Sequence, residues 1–84
     1  MEIEVGRVTH YYSKISVAIL EIIADSLKVG DTIRIFGHTT DFTQTVDSME
    51  INHQPFTEVQ PGMSIGVKVP GPVREHDKVF KITP

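Results

Sequence analysis

Short apolar runs, mostly alternating with polar residues and separated by Gly, Pro and Asp, recur along the chain. Leu27-Lys28-Val29-Gly30-Asp31-Thr32-Ile33-Arg34-Ile35-Phe36 sets the pattern. Val29 closes an apolar segment and Gly30-Asp31 supplies a turn, in which Asp31 bonds its own turn backbone. Ile33 and Ile35 then face one way while Thr32, Arg34 and Phe36 face the other. Because side chains alternate with period two, this turn fixes a register for what precedes and follows it.

In chain order, Ile3 and Val5 alternate with Glu2 and Glu4, whereas Val8, His10 and Tyr12 have the opposite parity. One extra residue near Gly6-Arg7 reconciles the halves as a strand with a β-bulge. Ser13-Lys14 makes a tight connection into Ile15–Ile23. That run also satisfies helical spacing, but its β-branched residues and the Asp25-Ser26 turn favour a strand of about 8 residues. Its apolar residues fall on both parities, as in a central strand covered on both sides. Gly37–Asp41 is an exposed loop. Phe42–Ile51 resumes strand character with a parity change, which predicts a second bulge near Asp47-Ser48. Pro55 bars Asn52–Gln60 from a central strand and leaves Phe56 and Val59 to plug one end of the core. Pro61-Gly62 is a turn, Ile65, Val67 and Val69 form a half-buried strand, Pro70-Gly71-Pro72 breaks it, and Val79–Ile82 is a last short strand.

About six short strands without a long helix predict an all-β fold of residues 1–84, one domain, closed into a small six-stranded Greek-key β-barrel. Closure removes edges that so short a chain cannot otherwise cover.

Composition narrows the function classes. With 39% hydrophobic and 23% charged residues, the 84-residue chain has the make-up of a folded soluble domain. No cysteine is present, which fits a cytoplasmic protein and leaves no thiolate site. The start carries no signal-peptide pattern, and no apolar run reaches the roughly 20 residues of a membrane span. A net charge of -3 opposes strong non-specific binding to a phosphate backbone.

Taken together, Val5-Gly6-Arg7-Val8, Val17-Ala18-Ile19-Leu20, Leu27 to Ile35, Val46-Asp47-Ser48-Met49-Glu50-Ile51 and Pro61-Gly62-Met63-Ser64-Ile65-Gly66-Val67 resemble the second domain of translation GTPases such as elongation factor Tu. A similar barrel occurs as a C-terminal appendage of collagenase-like peptidase-family proteins. Met63 stands where the translation family commonly has Asp after Gly, and His76-Asp77 stands where a second Gly-Asp turn is usual. No G-x-x-x-x-G-K-[ST] loop occurs, so GTP binding is not carried over. The resemblance implies a non-catalytic binding module that contacts tRNA, rRNA or a ribosome-associated partner. The alternative is a protein-docking subunit for a separately encoded enzyme, such as a collagenase-like peptidase-family protein.

Candidate chemistry is sparse. His10, His38, His53 and His76 show no metal-ligand spacing, and no nucleophile-elbow or triad pattern is present, so neither cofactor nor enzymatic activity is expected. The candidate contact residues are Arg7, Lys14, Lys68, Arg74, Lys78 and Lys81 as phosphate-facing cations, with His10, Tyr11 and Tyr12 as stacking groups. The competing expectation is a solvated basic face, with one tyrosine in the core and the other at the surface.

Overall fold

Two bulges in the first strand decide which residues face inward. The computed structural model describes residues 1–84, and β1 (Glu2–Tyr12) is its longest strand. Against β10 (Lys78–Ile82) its register slips between Glu4 and Gly6, which lets Val5 and Val8 both enter the core despite their unlike parity. Against β2 (Val17–Ile22) it slips again between Val8 and His10. The sequence predicts only the first slip. The second, at Thr9, turns Tyr11 against the core and sends His10 and Tyr12 outward. Gly6 lies so close to the β2 backbone that a Cβ there would collide with the Glu21 carbonyl oxygen.

β2 is a central strand between β1 and β9 (Ser64–Lys68), but it is covered on one side only. Ala18, Leu20 and Ile22 are buried, Val17, Ile19 and Glu21 are half-buried, and Ile15 and Ile23 lie exposed beyond its ends. β3 (Leu27–Lys28) pairs with β8 (Glu58–Val59) as a separate two-stranded ladder. β4 (Thr32–Phe36) buries Ile33 and Ile35, as its alternation predicts.

Phe42–Ile51 is two strands rather than one bulged strand. β5 (Asp41–Thr45) pairs with β4, whereas β6 (Met49–Ile51) reaches β9. Between them the chain is held at Val46, whose N–H donates to Asp31 O at 2.8 Å and whose carbonyl accepts from Gly30 N at 2.8 Å. Asn52 and His53, with φ of 52° and 64°, then turn the chain into β7 (Gln54–Phe56), a hairpin absent from the sequence reading. Positive φ at both central positions is the requirement of a type I′ turn.

The result is all-β, with ten strands where about six were expected. Eight form one antiparallel sheet in the order β5-β4-β10-β1-β2-β9-β6-β7. This sheet does not close into the predicted barrel: β5 and β7 end it, and no ladder joins them. A side chain reaches from the end strand β5 to β9, with Gln44 Nε2 donating to Lys68 O at 2.8 Å. Pro55 sits in β7, so the proline predicted to be unfit for a central strand lies at an edge. Sixteen buried apolar residues, Val59 among them, form the core, and the half-buried Phe56 packs against it. Burying a Val, Leu or Ile side chain contributes about 1.5–3 kcal/mol, which sets the worth of each inward position.

Three turns share one design. In Lys28–Asp31, Asp31 N donates to Lys28 O (3.0 Å) and Asp31 Oδ2 accepts from Lys28 N (3.0 Å). Arg74–Asp77 repeats both bonds at 3.1 and 2.9 Å, with His76 taking the left-handed conformation (φ 75°) that Gly30 takes in the first turn (φ 98°). In Gln60–Met63 the Met63 sulfur occupies the acceptor position, 3.4 Å from Gln60 N. The two departures noted in the sequence are therefore accommodated within one turn geometry.

Candidate functional site

Register places the outward side chains of β1, β2, β9 and β6 in rows. One row runs Lys78, Arg7, Glu21 and Ser64; the next runs His10, Ile19, Gly66 and Glu50; the third runs Tyr12, Val17 and Lys68. The first row is charged, and Arg7 is committed to Glu21 at 3.0 Å. The other two carry apolar residues on β2, Ile19 and Val17, between polar ends. With Ile15 from the preceding turn, Tyr12, Val17 and Ile19 make a continuous apolar strip on the outside of the sheet. Tyr12 is 48% and Ile15 57% exposed.

The strip is the wall of a shallow cleft of about 460 Å³, whose far side is Glu50, Asn52 and His53 from β6 and the following turn. Its floor is Gly66, where a Cβ would press within 3.3 Å of Val17. His10 packs edge-on against Tyr12, with ring centroids 4.4 Å apart, and stiffens one rim. Lys14 and Lys68 lie beside the strip. Exposed contiguous apolar surface rimmed by polar groups is the mark of an interaction site.

The nine residues singled out in the sequence are thus divided. Tyr12 belongs to the apolar strip, and His10, Lys14 and Lys68 border it. His10, Tyr11 and Arg74 meet in a second, open depression with Val73 and Glu75. Arg7 and Lys78 sit in the charged row. Lys81 is elsewhere: its Nζ donates to Ser26 O at 2.8 Å and lies 3.2 Å from Asp25, so it fastens the β2–β3 turn. A hydrogen bond from Ser26 N, followed by the Lys81 ammonium, holds the Asp25 carboxyl below the usual carboxylate range. No single basic face assembles from these residues.

Sequence reasoning missed Ile15, Val17, Ile19, Gly66 and His53. The signal was the apolar content of both parities of β2, which predicts cover on both sides, whereas the outer side is only half-buried. No group of three or more His, Asp or Glu side chains is arranged to hold a metal ion.

No protein-family model matches the chain. The chain is 46% identical over 80 residues to an uncharacterized protease of Methanocaldococcus jannaschii, covering 94% of this chain and 19% of that protein. It is 33% identical over 81 residues to a collagenase of Porphyromonas gingivalis, covering 95% of this chain and 20% of the relative. It therefore spans about a fifth of the length of the curated relatives it matches. Among solved structures, the C-terminal domain of a Geobacillus thermoleovorans protein described as a U32 peptidase superposes with a TM-score of 0.87 at 19% identity, covering 95% of this chain and 92% of that one. At that identity the likeness concerns the fold. These findings overturn the resemblance to elongation factor Tu and the RNA-binding role drawn from it: turns and core residues common to small β-folds carried that resemblance, and they do not distinguish a translation-factor domain from a peptidase-associated one.

Proposed function

We infer that this chain is a non-catalytic docking module that serves a collagenase-like peptidase. The apolar strip of Tyr12, Ile15, Val17 and Ile19 carries the reading, because a small folded unit that leaves such a strip on a central strand gains by covering it. The length of the relatives supports it, since each has roughly four-fifths of its chain beyond the matching segment for the strip to pack against. The strip is open, and the role that fits it is association rather than bond cleavage.

The test is a titration of the purified chain into the Methanocaldococcus protease from which the matching segment has been deleted. Binding at low micromolar concentration is expected, with at least a tenfold loss for the double variant Tyr12→Ser, Ile15→Ser. Absence of binding by the unaltered chain refutes the docking reading. Cleavage of fluorescent gelatin by the chain alone refutes the non-catalytic one.

A further inference from the structure

β5 leaves a row of backbone groups unpaired, although Gln44 reaches Lys68 O at 2.8 Å and Thr45 borders a cleft lined by Lys68, Val69 and Pro70; the bonds at its two ends give their phase. Gly37 N donates to Thr40 O at 2.7 Å, and Val46 N donates to Asp31 O at 2.8 Å. Antiparallel pairs alternate between bonded and non-bonded kinds. Along the β4–β5 register, Ile35/Phe42 and Ile33/Gln44 are therefore bonded, while Phe36/Asp41, Arg34/Thr43 and Thr32/Thr45 are not. The N–H and C=O groups of Asp41, Thr43 and Thr45 point away from β4, and β5 ends the sheet. All three residues are exposed.

Natural sheets guard such edges with proline, lysine, short strands or inward charges. The opposite edge is guarded: β7 is three residues long, with Pro55 at its centre. β5 has neither proline nor lysine. Its one charge, Asp41, is clasped by Arg34 through Nε–Oδ1 at 2.8 Å and Nη2–Oδ2 at 2.9 Å.

We propose that β5 pairs antiparallel with β5 of a second copy of this chain, centred on Thr43. The register suits this occupant. Thr43 faces Thr43 and Asp41 faces Thr45, so each outward N–H meets an outward C=O, with two bonds for each of the three facing pairs. Thr opposite Thr is a favourable cross-strand pair, and no like charges stand opposite each other. Phe42 and Gln44, on the other face, also fall opposite one another. A five-residue ladder buries less than the roughly 1,200 Å² of a standard interface, so the dimer is weak, with a dissociation constant of about 0.1–1 mM.

Sedimentation equilibrium of the full chain across about 0.02 to 2 mM spans that constant. The mean mass is expected to rise from the 9.4 kDa of the monomer toward twice that value. Thr43→Pro removes only an outward N–H, at an edge position where proline is tolerated, and should hold the chain monomeric throughout with an unchanged circular dichroism spectrum. The variant Tyr12→Ser, Ile15→Ser should dimerise as the unaltered chain does. In the unaltered chain, exchange of the Asp41, Thr43 and Thr45 amides should slow several-fold at the highest concentration, a reading independent of whether Thr43→Pro folds. A chain that stays monomeric, a dimer that survives Thr43→Pro, a dimer lost with the Tyr12 and Ile15 changes, or exchange indifferent to concentration would overturn the proposal.

Discussion

Asp31 and Asp77 make the same bond in two separate turns, each accepting through Oδ2 from the backbone N–H three residues earlier, at 3.0 and 2.9 Å. Their surroundings differ. Asp77 is 5% exposed and packs against Gly37, whereas Asp31 is half-buried beside open solvent. Losing a partner costs more where water cannot replace it. Asp77→Ala is therefore expected to destabilise the chain by about 2–3 kcal/mol and Asp31→Ala by about 1 kcal/mol, measured as a difference in urea midpoints.

Gly37 gives a second prediction from the same contact. A Cβ at this position would overlap the Asp77 carboxylate, so the carboxylate must leave its bond to Arg74 N or the β4–β5 turn must shift. Gly37→Ala should cost about 1–3 kcal/mol. Because both changes break one arrangement, the double variant Gly37→Ala, Asp77→Ala should be less destabilised than the sum of the two, a shortfall that a double-mutant cycle reads directly.

Gly6 concerns the β1–β2 packing instead. Its missing side chain admits the Glu21 carbonyl, and backbone cannot give way as a flexible side chain can. Gly6→Ala is expected to lower the melting temperature more than Gly66→Ala, whose nearest neighbour is the Val17 side chain at 3.3 Å. Thermal unfolding of the two variants side by side checks the order.

The Arg34 cluster sets an acid dependence. Arg34 bonds Asp41 in bidentate fashion and reaches Glu2 at 3.2 Å, and its hydrogen bonds hold the Asp41 carboxyl below the usual carboxylate range. A carboxyl depressed in the folded state contributes stability that is present above its unfolded pKa and is lost as the pH falls through the folded one. The unaltered chain should therefore lose melting temperature below the ordinary carboxylate range, and Asp41→Asn should show a smaller loss over that window. Both groups are solvent-accessible, so the effect should shrink in high salt.

The turns and the strands beside them were legible because they depend on neighbours in sequence. Gly30-Asp31, Pro61-Gly62 and the alternation through Ile33, Ile35, Ile65 and Val67 read directly as they stand in the structure. Pro55 at an edge and Tyr11 and Tyr12 on opposite faces were legible for the same reason. What depends on distant partners was not. The slip at Thr9 exists only relative to β2, and the break at Val46–Ser48 follows from β5 and β6 pairing with different strands. Whether the outer side of β2 is covered is also decided far from β2, so Val17 and Ile19 look alike in sequence whether they face a core or solvent. The cations scattered by this topology show the limit most plainly: Lys78 and Lys81 lie three residues apart, yet one stands in an outer row and the other fastens a turn.

Pro55 has a consequence for any assembly built through this sheet. A strand can be added beside β5 but not readily beside β7, where the proline nitrogen offers no donor. Growth from a sheet with one usable edge stops after a single addition, because the second copy presents its own proline edge outward. Edge pairing by this chain therefore ends in a closed pair and does not propagate into a filament.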